Sequence, residues 1–195
     1  MMNIINELKS FFINSLSSPV QIIGFIALII VIISFQQKTR KGILLLQCFS
    51  TALFTLHFAL LGPAGYTGSA LNFISGVRSV VYYNKDKKWA KSILWPIGFL
   101  IIFTAVTFII AYKNRGDMAW YFNLFPLFGA YVYTVATYIN SPKVIRRTLW
   151  LSSVAWIIYN INAGSVGGVI TEVFALISNA VAIIRLDIFG KKVKE

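Results

Sequence analysis

GILLLQCFSTALFTLHFALLG, from Gly42 to Gly62, runs for 21 residues without one charged side chain. A helix rises about 1.5 Å per residue and the hydrocarbon core of a bilayer is about 30 Å thick, so this segment is long and apolar enough to cross a membrane. Lys41 precedes it and Pro63-Ala64-Gly65 follows it, a polar start and a turn. Six further apolar runs flank it: Ser18 to Gln36, Tyr66 to Tyr83, Ile93 to Tyr112, Ala119 to Ile139, Thr148 to Ala163 and Val166 to Arg185. The fold class predicted is therefore an all-α membrane protein with seven transmembrane helices. Composition agrees, since 57% of the 195 residues are hydrophobic and 12% are charged, against about 25% charged in soluble domains.

The net charge of +12 is distributed by side. Lys38, Arg40 and Lys41 follow the first run; Lys85, Lys87, Lys88 and Lys91 follow the third; Lys143, Arg146 and Arg147 follow the fifth; Arg185, Lys191, Lys192 and Lys194 close the chain. All fall on one side of a seven-span topology, whereas the other side receives Lys9, Lys113 and Arg115. The positive-inside rule then places the N-terminus outside and the C-terminus in the cytoplasm. Insertion and anionic lipid account for the basic excess, which leaves the lipid bilayer as a partner and no nucleic acid.

Residues 1–17 do not read as a cleavable signal, because Glu7 and Lys9 interrupt the apolar run; Ile4, Ile5, Leu8, Phe11, Phe12 and Leu16 fall at the spacing of an interfacial helix. The remaining organisation is a three-helix unit over 18–84, a linker with the fourth span over 85–118, a second three-helix unit over 119–186 and a basic tail over 187–195. A shift of 102 residues sets Lys41 on Lys143, Ser50 on Ser152, Phe54 on Trp156, His57 on Tyr159, Gly62 on Gly164, Gly65 on Gly167 and Ser69 on Thr171. Each half reads as basic loop, span, uncharged glycine turn, span, basic loop. One span between two such units makes them enter the membrane in the same direction, a 3+1+3 parallel repeat.

Polar residues inside the spans are the functional candidates, because burying them in lipid is costly. Gln47, Ser50, Phe54 and His57 form one stripe of the second span, and Ser152, Trp156 and Tyr159 repeat it on the sixth, with Asn160 beside them. Such stripes either hold helices together or line a wet cavity. Glu172 is the acidic residue within a span, and Asn179, seven residues on, shares its helix face. Together they offer a carboxyl group and an amide that both donates and accepts hydrogen bonds. Arg78 is a cation inside the third span, near enough to its basic end for its side chain to be expected to snorkel outward, the alternative being a substrate-binding arginine. Cys48 stands alone, so no disulfide or thiolate metal set forms within the chain. One histidine with a distant glutamate is no metal site, and neither paired carboxylates nor a Ser-His-Asp set occurs in the membrane. The sequence thus implies no catalytic residues, no enzyme, no metal and no cofactor.

The stretch Leu44 to Arg78, with His57-Phe58-Ala59-Leu60-Leu61-Gly62, Pro63-Ala64-Gly65 and Ala70-Leu71-Asn72, resembles the YgjV family of bacterial inner-membrane proteins. So does Asn162-Ala163-Gly164-Ser165-Val166-Gly167-Gly168, followed by Glu172, Asn179 and Ile184-Arg185. The resemblance implies a multi-pass protein of the bacterial cytoplasmic membrane. More distantly, the 3+1+3 arrangement resembles the SWEET and PQ-loop carriers of small solutes. That likeness implies a solute between an asparagine of span three and one of span seven, for which Asn72 and Asn179 are the candidates here. The repeat frame sets Asn179 on Val77 and not on Asn72, and Phe35-Gln36-Gln37 lacks the proline of the PQ motif. The implied function is transport of an unidentified small polar solute. A non-transporting receptor or assembly protein is the alternative, and a third reading is a carrier of a nucleoside-like vitamin precursor stacked on Trp150, Trp156 and Tyr159. The sequence leaves room for a homo-oligomer.

Overall fold

The computed structural model describes residues 18–189 apart from 115, 117 and 140, so the interfacial helix expected over 1–17 and the basic residues beyond 189 lie outside the described residues. Among the described residues the chain is all helical. The seven helices are α1 (Pro19–Phe35), α2 (Arg40–Leu60), α3 (Tyr66–Tyr83), α4 (Leu94–Lys113), α5 (Leu124–Tyr138), α6 (Pro142–Asn162) and α7 (Val166–Ala182), the last continued by a π-helical segment, Ile183–Ile188.

Local chemistry sets the ends of these helices. Pro19 and Pro142 stand in the first turns of α1 and α6, where no backbone donor is needed. Thr39 and Ser165 cap α2 and α7, their hydroxyls accepting from Gly42 N at 3.1 Å and Gly168 N at 3.0 Å. Gly62 and Gly164, at φ +81° and +67°, turn the chain from α2 to α3 and from α6 to α7 in a conformation that a Cβ disfavours.

Two boundaries differ from the sequence expectation. The fifth helix starts at Leu124 after a 3₁₀ turn, Trp120–Asn123, rather than at Ala119. The sixth starts at Pro142 rather than Thr148, so Lys143, Arg146 and Arg147 stand on helix and not in a loop. Among the described residues, three helices are both long and apolar enough to cross a membrane by themselves: Arg40–Leu60, Leu94–Lys113 and Val166–Ile188. Helix α1 has 17 residues and α5 has 15, α3 carries Arg78, and α6 begins with three cations.

The burial pattern suits lipid. Ile22, Ile26, Ile29 and Ile33 of α1 face outward, while Gln21, Ser34 and Gly24 face in. On α7, Val173, Phe174, Ile177 and Val181 are exposed, while Thr171, Ser178 and Asn179 are buried. Small and polar residues inside with branched aliphatics outside is the arrangement expected where lipid, not water, surrounds the bundle. Contacts run α1 to α2, α2 to α3, α3 to α5, α5 to α6, α6 to α7 and α7 back to α1, a closed ring of six helices. Helix α4 stands outside this ring, packed on α3 and α5 through a seam that includes Phe99, Phe103 and Ala111.

Candidate binding site

Inside the ring lies a cavity of about 90 Å³ to which all six ring helices contribute. From the stripe on α2 come Gln47, Ser50 and Phe54; from α6 come Ser152, Trp156 and Asn160; from α3 come Asn72, Ser75 and Arg78; from α5 come Gly129, Ala130 and Tyr133; from α7 come Thr171 and Glu172; and from α1 come Val31 and Phe35. The helical spacing that marked the two stripes in the sequence therefore aims them at a common space. Ser152 Oγ donates to Gly129 O at 3.1 Å, and a Cβ on Gly129 would meet the Trp156 indole at 2.8 Å, so this glycine is what lets α5 lie against α6.

Arg78 does not snorkel. It is 2% exposed, and its guanidinium donates to Thr134 Oγ1 at 2.7 Å and Ala130 O at 3.3 Å. It also lies 5.3 Å from the Tyr133 ring centroid and 5.8 Å from that of Phe103. The anchor residues come from helices remote in sequence, which is why the third span by itself suggested a path to the surface. Tyr133 is a functional candidate that the sequence does not suggest, and Arg78 takes the substrate-facing position that the sequence offers as its alternative to snorkelling. Arg78 carried one signal, its isolation as a charge within a span; Tyr133 carried none.

Arg78 and Glu172 are the charged side chains in the lining. Burying a charge requires partners, and several polar atoms here lack them: Arg78 Nε, the Tyr133 hydroxyl and Asn160 Oδ1 have no hydrogen-bond partner in the protein. Glu172 is half-buried.

The two candidate asparagines do not share the cavity. Asn179 is fully buried below the cavity, where its amide donates to Arg146 O at 2.6 Å; Asn72 lines the cavity and donates to Gly68 O at 2.9 Å. The asparagine pair implied by the carrier resemblance is therefore not assembled around one space. Trp150 is exposed, and six residues on a helix put it on a different face from Trp156, so the three-aromatic stacking set does not form.

His57 and Tyr159 belong to the end of the ring nearest the glycine turns. His57 Nδ1 lies 2.7 Å from Val20 O, and Nε2 lies 2.8 Å from Ser165 Oγ. A carbonyl only accepts, so Nδ1 carries the proton, and in the neutral ring Nε2 accepts from the serine. The Tyr159 hydroxyl accepts from Gly68 N at 2.8 Å and donates to Ala64 O at 2.9 Å. Gly167 N donates to Gln21 Oε1 at 2.8 Å at the same end.

Arginines tie the opposite, basic end. Arg40, at the start of α2, donates to Tyr82 O at 2.6 Å and Thr137 O at 3.1 Å, the carbonyls that end α3 and α5. Arg146 on α6 makes a two-pronged ion pair with Asp187 after α7, one arm at 3.2 Å, and reaches Gln37 O after α1 at 3.5 Å. Arg40 thus counters the carbonyl-rich, partially negative ends of two neighbouring helices, and Arg146 answers a carboxylate after one helix and a carbonyl after another.

A family model described as bacterial inner membrane protein, Imp-YgjV, matches residues 19–188. Inner membrane protein YgjV of Escherichia coli (strain K12) is 26% identical over 163 residues, which cover 84% of this chain and 81% of that protein. No solved structure matches the chain.

Proposed function

The chain belongs to the YgjV family of bacterial inner membrane proteins, and from that premise we propose that it binds a small polar solute in the central cavity and moves it across the bilayer. The observation that carries this reading is the cavity itself, to which six helices contribute and whose lining holds Arg78, Glu172 and residues with polar atoms that lack partners. A bundle that used its polar residues solely to join helices would pair them with one another.

The six ring helices fall into α1–α3 and α5–α7, with α4 as the connecting span, and equivalent positions in the two groups behave alike. Gly62 and Gly164, related by the shift of 102 residues, share positive φ. His57 and Tyr159, related by the same shift, each reach the start of the other group's third helix, at Ser165 and Gly68. Arg40 and Arg146, which that shift does not relate, each bind at or just past the end of their own group's third helix and of the other group's first. These paired ties support two parallel three-helix units, with the glycine turns outside and the basic end cytoplasmic. Rocking of one unit against the other would break the ties at one end while keeping those at the other, exposing the cavity to each side in turn.

Thermal unfolding of the purified full-length chain against sugars, nucleosides, organic acids and amino acids tests this reading. A solute bound by the folded state alone raises the melting temperature by mass action. The shift should vanish in Gly129→Val, whose side chain intrudes between Trp156 and Ser152. Absence of any shift at millimolar concentration across the panel would refute solute binding.

A further inference from the structure

Resting on that reading of the cavity, we propose that the solute is a small zwitterion, a compound carrying a carboxylate and an ammonium group a few bonds apart. The juxtaposition that assigns this class is the sorting of the lining by chemistry. Unpartnered donors stand on α3 and α5, where Arg78 Nε and the Tyr133 hydroxyl lack any partner in the protein. Acceptors stand on α6 and α7, where Asn160 Oδ1 lacks a partner and Glu172 supplies a carboxyl group.

Arg78 is held from one side by Thr134 Oγ1 and Ala130 O, which fixes its plane and leaves Nε to a ligand. A guanidinium so placed suits a carboxylate, which accepts from it in a fixed geometry. An alkylammonium has three donors and no acceptor, so it suits Asn160 Oδ1 and Glu172 and is repelled by the arginine. Arg78, Tyr133 and Glu172 all line this one cavity, so a solute within it meets both charged side chains.

A neutral sugar or nucleoside would satisfy the hydroxyl and amide but leave a buried guanidinium and a carboxyl group without counter-charges, an arrangement that is costly away from water. A lone anion would serve Arg78 and oppose Glu172. The volume adds a limit on size, because about 90 Å³ is well below the roughly 300–1,000 Å³ of pockets that take drug-sized ligands. The two charged ends must therefore be close together, as in the smallest amino acids.

The test is a charge-deletion series on the intact protein, read by thermal unfolding at neutral pH. Alanine carries both charges, alaninamide keeps the ammonium, propionate keeps the carboxylate, and lactamide keeps neither. Alanine should raise the melting temperature, and both singly charged analogues should bind about tenfold or more weakly, since each leaves one buried group unanswered. Arg78→Gln and Glu172→Gln should each abolish the alanine shift; should either variant fail to fold, the ligand series on the unaltered chain decides alone. Equal shifts with alanine and propionate, or shifts with sugars or nucleosides and none with alanine, would overturn the zwitterion while leaving solute binding intact. No shift with any compound, across this series and the broader panel, would overturn both.

Discussion

Replacing Tyr159 with phenylalanine removes one oxygen and leaves the ring, which packs 5.9 Å from Phe58 and 5.7 Å from Trp156 between centroids. That oxygen makes two bonds, from Gly68 N and to Ala64 O. Gly68 is the third residue of α3, so its N–H lies in the first turn and has no carbonyl within its own helix to receive it. A typical net hydrogen bond contributes about 1 kcal/mol, side-chain bonds between membrane helices average about 0.6, and a buried donor left unmet costs about 1–3. Loss of both bonds, with the N–H of Gly68 stranded, should therefore destabilise the protein by about 2 kcal/mol. Equilibrium unfolding in mixed micelles of rising denaturing detergent fraction measures this directly. Tyr121→Phe is the control, because Tyr121 is exposed, and it should change stability by less than about 0.5 kcal/mol. A Tyr159→Phe change as small as that of the control would refute the claim that this hydroxyl ties the two units.

Arg146→Ala leaves Asp187, whose side chain is 1% exposed, without its counter-charge and should cost about 3–5 kcal/mol in the same assay, whereas Arg146→Met with Asp187→Leu should cost far less. Gly62 has ψ −158° with its positive φ, a conformation nearly confined to glycine, so Gly62→Ala should cost about 1–3 kcal/mol, while Gly98→Ala, with open space about its Cβ in mid-helix, should stabilise by about 0.5–1. Gly68→Ala should perturb the turn end of the ring, since its Cβ would meet both Phe58 and Tyr159 at 2.9 Å; lowered thermal stability in Gly68→Ala alongside raised stability in Gly98→Ala would distinguish crowding from a general cost of alanine.

Which features could be read from the sequence follows from the range of the forces involved. The helices were legible because apolar runs of membrane length are a local property, and the glycine turns because positive φ is a single-residue demand. The inward stripes of α2 and α6 were legible because lipid imposes one orientation on polar residues. The destination of a long side chain was not. Arg78 turns inward through Thr134 and Ala130, and Asn179 is drawn to Arg146 O, contacts that only the packed bundle creates. The early start of α6 was obscured by its cations, which read as loop but serve the helix, with Arg146 buried against Asp187.

Alternating exposure of the cavity is tested most directly by thiol accessibility from the two sides of the membrane. Ser50→Cys and Ser152→Cys, each in a Cys48→Ala background, place a single thiol on the cavity wall. A membrane-impermeant maleimide is then applied to oriented vesicles from one face or the other. The account predicts labelling from either face, and it predicts that adding Tyr159→Phe raises labelling from the face bearing the glycine turns while lowering it from the basic face. Thiols that stay unlabelled from both faces, or that gain labelling from both together, would contradict it.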